Sequence, residues 1–545
     1  MPPPARALPL LLLVLLFHLP FSLSSRHHHH RTPSPSPSPA VPPASTDSAP
    51  LAVLLACNAT RFQPACVSTL SGAGSDATTS SLLGATLSAL RARLPPAVNT
   101  AKSVLASSSN VNLTNAATNC LTFLSLASHR LSPPPSQPPL LSASAVLLHL
   151  YDCWSAYKYV NFSRTISDAM SYLDDTIAVS SNYISMLAAR ERFGDETSLW
   201  RPPQTERDGY WPPPAAAATA ANTDVDALGV PRGLPPNATV CAAGCDYRTV
   251  CEAVAAAPDY GEGPFVVRVK EGVYRETVRV PWEKTNVVLV GDGMGRTVIT
   301  ADLNADTSGV STFNTATVGV LADGFMARDL TIANTAGPDA HQAVAFRSTG
   351  DRTVLDAVEL LGHQDTLYAH AMRHFYTRCR VAGTVDFVFG NSAAVLHDTA
   401  LVVLPRQLRP EKGENDAVTA QGRTDPAQPT GIVLSRCVVN GSDEYLAMYR
   451  EKPGVHHVYL GRPWKEYSRT VYLGCTLAEI VQPQGWMAWN GDFALETLYY
   501  GEFDSAGPGG AASRRVAWSS QVPKDHVDTY SVANFIQGHE WIPKV

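Results

Sequence analysis

Short runs of β-branched residues, separated by turn residues, fill the chain from about Asn237 onward and restrict its fold more than any other feature. They fall at residues 265–269, 286–290, 353–360, 393–404, 431–439 and 470–473. Many are apolar on consecutive residues, which is typical of strands buried on both faces or stacked in parallel. This pattern predicts an all-β domain over residues 237–545. It is compatible with a sandwich, a barrel or a parallel β-helix.

The residues before this region have a different texture. Residues 51–195 are rich in Ala, Ser and Leu, and Leu83, Leu87, Leu90 and Leu94 recur at helical spacing until Pro95, where we expect the run to stop. Ile166, Met170, Leu173 and Ile177 repeat the spacing. A small helical bundle is therefore predicted over residues 51–195.

The remaining segments are interpreted as a leader and two linkers. A leucine-rich run in residues 1–25 follows Arg6 and predicts a signal peptide or a signal anchor, with cleavage favoured. Residues 26–50 are rich in Pro and Ser and contain His27 to His30, a tract that we interpret as solvated rather than metal-binding. Residues 196–236 form a second linker, rich in Pro and Ala.

Composition supports an exported protein with two folded domains. The 545 residues are 45% hydrophobic, and the formal net charge of −6 does not suggest nucleic-acid binding. Ten cysteines in an exported chain favour disulfides, and the candidate pairs are Cys57 with Cys66, Cys120 with Cys153, and Cys241 with Cys245. Glycosylation sequons begin at Asn58, Asn112, Asn161, Asn237 and Asn440.

Three polar residues, Gln342, Asp365 and Asp386, follow one another at nearly equal intervals. Each interval is close to the length of one coil of a solenoid. Residues one coil apart stack on neighbouring rungs, so the three are candidates to converge on one face. Two close carboxylates split their pKa values, which suits an acid and a nucleophile, with an amide nearby to hold an oxyanion. Turn-capping aspartates would show the same spacing.

A second candidate element is Leu460-Gly-Arg-Pro-Trp464. Arg462 is able to hold a carboxylate through two hydrogen bonds, and Trp464 offers a flat face to a sugar ring. A packed aromatic beside a surface arginine is the simpler interpretation. No spacing of His, Cys or Asp indicates a metal site, and no Gly-x-Ser-x-Gly elbow occurs.

These blocks, in this order, resemble the plant pectin methylesterases. The resemblance extends from Cys241 to the C-terminus and includes Gly272-Val-Tyr-Arg-Glu276, Asn334-Thr-Ala-Gly-Pro338, Thr419-Ala-Gln-Gly-Arg-Thr-Asp425 and the block from Gly485 to Leu495. The region from Cys57 to Arg190 is similar to the inhibitor-type domain that precedes many such enzymes. The resemblance implies a right-handed parallel β-helix behind an all-α four-helix bundle.

The resemblance also assigns roles in the hydrolysis of methyl esters on homogalacturonan. Asp386 would be the nucleophile and Asp365 the proton donor and then the base. Gln342 and Gln364 would stabilise the oxyanion. No cofactor or metal is implied. The implied location is the extracellular cell wall, with no stable membrane association after signal cleavage.

Three further residues correspond to substrate contacts of the family. Thr312 and Trp464 would contact the sugar chain, and Arg462 would hold Asp386 in place. The roles rest on residue types that are all intact in this chain, so the resemblance implies an active enzyme.

The chain departs from the family at several positions. His363 stands where a tyrosine is usual, Thr399 replaces a cysteine that usually pairs near Cys437, and Val358 replaces another cysteine. The pairing of Cys251, Cys379, Cys437 and Cys475 is therefore left open. The basic processing motif usual between the two domains is also missing, so the sequence does not place a cleavage site.

Two alternatives to an esterase are open. A polysaccharide lyase of similar shape would need a calcium-ligating acidic cluster near Asp386, and the sequence lacks one. A binding protein would act by blocking other esterases through residues 51–195. An esterase that its own helical region restrains before export agrees best with the sequence.

Overall fold

The computed structural model describes residues 49–135, 137–160, 163–212, 224–407 and 413–545. The predicted leader, almost all of the first linker and the sequon at Asn161 lie outside the described residues. Within the described ranges, no helix combines the length and the apolar character that crossing a bilayer requires.

The first part of the chain is helical. A short hairpin packs against a bundle of four long helices, in which each helix contacts the next and α6 returns to α3. The helices are α1 (Leu51–Asn58), α2 (Gln63–Thr69), α3 (Thr79–Ser107), α4 (Val111–Arg130), α5 (Pro139–Lys158) and α6 (Arg164–Phe193). The four-helix bundle expected from the resemblance is confirmed.

The expected stop at Pro95 is wrong, because α3 continues through Pro95 and Pro96 to Ser107. A proline inside a helix costs about 3 kcal/mol through its missing donor and its ring. The apolar stripe nevertheless persists on both sides of the prolines, with Leu90 and Leu94 before them and Ala101 after them all buried. Tertiary packing of that stripe outweighs the local penalty.

Three disulfides join the predicted candidate pairs. Cys57–Cys66 links α1 to α2, Cys120–Cys153 links α4 to α5, and Cys241–Cys245 closes a short loop. The four described sequon asparagines, Asn58, Asn112, Asn237 and Asn440, are all exposed. Their glycosylation stays a prediction.

The second part of the chain is a right-handed parallel β-helix, as the resemblance implies. Its strands stack in three parallel columns around an apolar interior. The first column contains β1 (Ala238–Val240), β2 (Phe265–Val269), β5 (Val287–Val290), β8 (Met326–Asn334), β10 (Thr353–Leu361), β12 (Arg373–Thr377), β15 (Ala393–His397), β18 (Gly431–Ser435), β21 (Arg469–Leu473), β23 (Tyr499–Phe503) and β24 (Ser520–Gln521).

The other two columns complete each coil. The second contains β3 (Gly272–Arg275), β6 (Thr297–Ala301), the later halves of β8 and β10, β13 (Arg380–Gly383), β16 (Ala400–Val403), β19 (Val438–Gly441) and β22 (Thr476–Leu477). The third contains β4 (Val278–Val280), β7 (Val318–Val320), β9 (Phe346–Ser348), β11 (Leu367–Ala369), β14 (Val385–Gly390), β17 (Glu414–Gln421) and β20 (His456–Gly461). Short helices α7 (Val250–Ala255), α8 (Asp443–Glu451), α9 (Val532–Phe535) and α10 (Gly538–Trp541) pack around this body.

One residue with a left-handed backbone makes each corner between the first and second columns. These corner residues are Asp329, Ala357, Arg378, Asp398, Arg436, Gly474 and Asp504. The residue after each corner points into a buried column, in which Val358, Cys379, Thr399, Cys437 and Cys475 follow one another on successive rungs. The four cysteines outside the three disulfides are free, and Thr399 stands on the rung between Cys379 and Cys437.

The described parts of the second linker pack against both domains. Trp200 is buried in the core of the helical bundle, and Trp211 stacks on His526 with ring centroids 4.4 Å apart. Leu228 and Val230 are buried on the outer face of the β-helix. These apolar contacts hold the two ends of the Pro/Ala-rich segment to the folded body.

Candidate active site

The two candidate aspartates lie on neighbouring coils of the third column. Leu367 in β11 pairs with Val388 in β14, and the same offset aligns Asp365 with Asp386. The backbone N–H of Asp365 donates to the carbonyl of Val385 at 3.1 Å, which fixes that alignment. The spacing argument from the sequence therefore holds for this pair.

Both aspartates have a left-handed backbone, with φ of 67° at Asp365 and 54° at Asp386. Asp386 also lies within a register shift between Val385 and Val388, where β14 and β17 lose their even pairing. As a result Phe387 and Val388 both face the core, while Asp386 and Phe389 do not. A bulge re-aims a side chain in this way and often adjoins a functional site.

The charges of the pair are set by burial and by one arginine. Arg462 forms two hydrogen bonds with Asp386, from Nε to Oδ1 at 2.8 Å and from Nη2 to Oδ2 at 2.7 Å. Burial, and then the negative charge of Asp386, raise the pKa of Asp365 well above its ordinary value, although Arg462 opposes the rise. The arrangement favours a protonated carboxyl at Asp365 beside a carboxylate held by a fork of donors.

Neither glutamine shares the alignment of the two aspartates: Gln364 lies one residue away from it and Gln342 two residues away. The register of the third column aligns Gln364 with Ala343, whose N–H donates to the Gln364 carbonyl at 3.1 Å. It aligns Gln342 with His363, so Val344, not Gln342, shares the rung of Asp365. Both glutamines are half-buried. Counting residues per coil therefore does not predict the rung on which Gln342 lies.

His363, at the position where the family usually has tyrosine, is half-buried next to Gln364. Burial lowers the pKa of His363, opposed only by the charge of Asp339. Its Nδ1 is buried without a hydrogen-bond partner in the described parts of the chain. A neutral imidazole therefore stands beside the site near neutral pH.

A group of aromatic rings lies next to the two aspartates, and the sequence analysis missed most of them. We call this group the aromatic floor. Tyr368 and Phe389 stack with ring centroids 4.1 Å apart, and Trp464 meets Phe389 edge-on at 5.9 Å. Trp489 lies under the guanidinium of Arg462 at 4.3 Å. The sequence could have predicted the orientation of Tyr368, because Tyr368 follows a core leucine by one residue in a strand. It could not do so for Phe389, because the bulge in β14 interrupts the alternation of side chains.

Trp464 depends on a glycine beneath it. A Cβ at Gly422 would lie 2.8 Å from Cε3 of Trp464, closer than side chains tolerate. The indole of Trp464 therefore packs directly on the backbone that follows β17. An edge of the ring meets its aromatic neighbours, and the residue is half-exposed.

The helical region contacts the cleft around Thr312, which belongs to a single 3-10 turn, Thr312–Asn314. Phe123 in α4 meets Phe313 edge-on at 4.8 Å. Asn119 donates to the side-chain oxygen of Asn314 at 2.8 Å and accepts from its amide at 3.1 Å. The residues that follow Thr312 are therefore covered by α4.

The helical region also contacts the chain beside Trp464. Lys465 Nζ donates to the hydroxyl of Tyr151 in α5 at 2.8 Å. Farther along, Arg130 at the end of α4 forms a two-pronged ion pair with Asp323, at 2.8 Å and 2.5 Å. The bundle thus holds the β-helix on both sides of the aspartate pair.

Comparison with known proteins follows the same division of the chain. A pectinesterase family profile matches residues 237–539. The chain is 48% identical to probable pectinesterase/pectinesterase inhibitor 64 of Arabidopsis thaliana over 506 residues, 90% of this chain and 84% of that protein. It is 45% identical to a pectinesterase of Daucus carota over 313 residues, 57% of this chain and 95% of the relative.

A solved structure supports the fold of the second part. Pectin methylesterase from carrot aligns with a TM-score of 0.54 at 44% identity, covering 57% of this chain and 96% of that chain. With these matches, the β-helix and its paired carboxylates define a carboxylic ester hydrolase. The chain belongs to the pectinesterase family, and its first part is the helical region that the resemblance predicts.

Proposed function

We propose that this chain hydrolyses methyl esters of homogalacturonan, the pectin of plant cell walls, through an acyl-enzyme on Asp386. The observation that carries the proposal is the stacked pair of Asp365 and Asp386, in which Arg462 holds one carboxylate and burial keeps a proton on the other. Family membership supports the substrate, because the similar carrot structure is that of a pectin methylesterase.

In the first half of the reaction, a carboxylate oxygen of Asp386 attacks the ester carbonyl carbon. The amide groups of Gln342 and Gln364 donate to the oxyanion that develops. The tetrahedral intermediate collapses with loss of the methoxy group, which takes the proton of Asp365 and leaves as methanol. An anhydride between galacturonate and Asp386 remains.

In the second half, the carboxylate of Asp365 takes a proton from water while the hydroxide attacks the galacturonyl carbon. Collapse breaks the bond to Asp386, so galacturonic acid leaves, the Asp386 carboxylate returns to Arg462, and Asp365 is again protonated. Water and ester have become acid and methanol. The aromatic floor, with Trp464 at its edge, would hold the sugar rings.

Methanol release by Asp386→Asn tests the assignment. Residues 237–545 suit this assay, since they contain all of the residues that the pectinesterase family profile matches. We expect a loss of at least about a thousandfold in a variant that remains folded, as removal of a covalent nucleophile produces. Asp398→Asn, at another aspartate with a left-handed backbone, is the matched control and should keep its activity. Normal activity in Asp386→Asn would exclude the mechanism.

Chelator separates the esterase from a lyase. Methanol release by residues 237–545 should persist in chelator, and no unsaturated product absorbing in the ultraviolet should appear. Chain cleavage that calcium restores would favour the lyase.

We also propose that the helical region restrains the enzyme. Support comes from its contacts on both sides of the aspartate pair, at Phe313 and at Lys465, and from the pectinesterase inhibitor in the name of the Arabidopsis relative. Full chain and residues 237–545 should then differ in methanol release. Equal rates would refute the restraint, and inhibition of other esterases by residues 51–195 alone would favour the binding role instead.

A further inference from the structure

Three possible metal ligands meet where α5 contacts the β-helix. His149 and Asp152 are separated by about one helical turn in α5, so both project from the same face. His370 follows β11 on the β-helix. One ring nitrogen of each histidine and one carboxylate oxygen of Asp152 all lie within 4.8 Å of one another.

Burial sets this group apart from an ordinary surface cluster. The side chains of His149 and His370 are 0% and 1% exposed, and that of Asp152 is 13% exposed. His370 Nε2 and Asp152 Oδ2 are 2.9 Å apart and already satisfy each other. Both ring nitrogens of His149, however, are buried and lack a hydrogen-bond partner among the described residues. A buried polar group left unpaired has lost its hydration without a replacement, and an ion would supply the missing partner.

The donors suit a zinc-type ion. Two imidazole nitrogens and one carboxylate oxygen, with a fourth position for water, are a common ligand set for Zn²⁺. Zinc–ligand bonds of about 2.0–2.1 Å in a tetrahedron separate the ligand atoms by roughly 3.3 Å. Asp152 Oδ2 lies 2.9 Å from His370 Nε2 and 3.7 Å from His149 Nδ1, on either side of that value.

His370 also has the outer partner that metal-binding histidines use. Its Nδ1 lies 3.0 Å from the hydroxyl oxygen of Thr349, which is able to accept the ring N–H and so fix Nε2 as the metal-facing nitrogen. Thr349 in turn accepts from Arg347 Nη1 at 2.9 Å. His370 is therefore oriented from the β-helix side before the helical region contributes its two ligands.

We propose that His149, Asp152 and His370 bind one Zn²⁺-type ion that joins the helical region to the β-helix. Two ligands come from one domain and one from the other, so release of the helical region requires loss of the ion. An ion in free solution then stabilises the docked form by mass action. No sequence motif marked this site, because 218 residues separate Asp152 from His370.

Co²⁺ binding to the full chain tests the proposal, with the tetrahedral d–d absorption of Co²⁺ as the readout. The background carries the substitutions His27→Ser, His28→Ser, His29→Ser and His30→Ser, since the histidine tract would bind the same ions. We expect one Co²⁺ per chain with a tetrahedral spectrum, displaced by Zn²⁺. Asp152→Asn keeps an acceptor for His370 but removes the carboxylate, and His149→Gln removes an imidazole.

Each of these two variants should bind Co²⁺ at least about tenfold more weakly, since loss of even an outer-shell partner costs about 10–100-fold. His457→Gln, at a half-buried histidine bonded to Asn415, is the control and should bind as the parent does. Zn²⁺ should also raise the unfolding temperature of the parent relative to chelator, and should not do so for the two variants. No Co²⁺ on the parent, or equal affinity in Asp152→Asn and His149→Gln, would overturn the site.

Discussion

Replacing Arg130 by methionine removes the most buried charge that the helical region contributes to the β-helix. The Arg130 side chain is 2% exposed, and its partner Asp323 is 15% exposed. Burial alone would raise the pKa of Asp323, but the charge and hydrogen bonds of Arg130 outweigh burial and lower that pKa from 3.8 to about 2. One pKa unit corresponds to about 1.36 kcal/mol, so the lowering corresponds to a favourable interaction on the order of 2 kcal/mol, to which Arg130 is the largest contributor.

This energy translates directly into activity if the docked form is inactive. While docked molecules dominate, methanol release follows the undocked fraction, which an interaction on the order of 2 kcal/mol changes by roughly thirtyfold. Arg130→Met in the full chain should therefore release methanol faster than the parent, by up to roughly thirtyfold, with residues 237–545 as the upper limit. The assay is initial methanol release from highly methylated pectin.

Two further variants sharpen the result. Arg164→Met changes an arginine that is 95% exposed and should leave the rate unchanged. Arg130→Met combined with Asp323→Asn should release less methanol than Arg130→Met alone, because no carboxylate is then left buried and unpaired. An unchanged rate in Arg130→Met, with the parent well below residues 237–545, would refute the role of this ion pair.

The same pair predicts a pH dependence. A carboxyl whose folded pKa is lowered contributes stability above its unfolded pKa and loses it as pH falls through the folded value. The Asp323 contribution should therefore be complete above about pH 5 and decline between pH 3.8 and about 2. An Arg130→Met effect on docking that is as large at pH 2 as at pH 6 would contradict this assignment.

Three other predictions concern the β-helix. Because the pKa of Asp365 is raised in the folded protein, the native state loses stability as pH rises above the ordinary carboxyl pKa. Asp365→Asn should therefore raise the unfolding temperature at pH 7 but hardly at pH 4. An equal change in unfolding temperature at both pH values would contradict the raised pKa. Gly422→Ala places a Cβ 2.8 Å from the indole of Trp464, an overpacking that costs about 1–3 kcal/mol of stability. Because the indole is displaced, the KM for pectin should rise about tenfold, with a smaller effect on kcat. An unchanged KM would show that Trp464 does not hold substrate. Burial raises the pKa of the Cys379 thiol to about 12, so iodoacetamide at pH 8 should label this buried residue only after unfolding. Rapid labelling of Cys379 in the native protein, located by mass spectrometry, would contradict its burial. The full set of thiols expected to react after unfolding is Cys251, Cys379, Cys437 and Cys475.

Sequence patterns predicted the structure correctly where the result depends on a single helix or strand. Apolar runs on consecutive residues predicted strands buried on both faces, and leucines at helical spacing predicted a helical bundle, because both patterns report which face of an element meets the core. The same rules failed at Pro95, where burial of residues on both sides of the proline overrides its local penalty.

Register decided what spacing alone did not. Asp365 and Asp386 stack as their separation predicts, but Gln342 falls out of step because the pairing of β9 with β11 puts Val344 on the rung of Asp365. The bulge at Asp386 likewise shifts the alternation of β14, so Phe389 reaches the aromatic floor from a position that simple period-two counting assigns to the core.

By itself, the sequence determined the two domain types, the strand-rich body, the aspartate pair and the family to which they point, because each of these is written in contiguous motifs or regular spacing. Only the tertiary structure placed Arg130 on Asp323 and His370 beside His149 and Asp152. Each of these two groups joins residues of different domains that lie far apart in the chain. Their meeting depends on how coils stack and on how the bundle docks, which no local pattern of residues encodes.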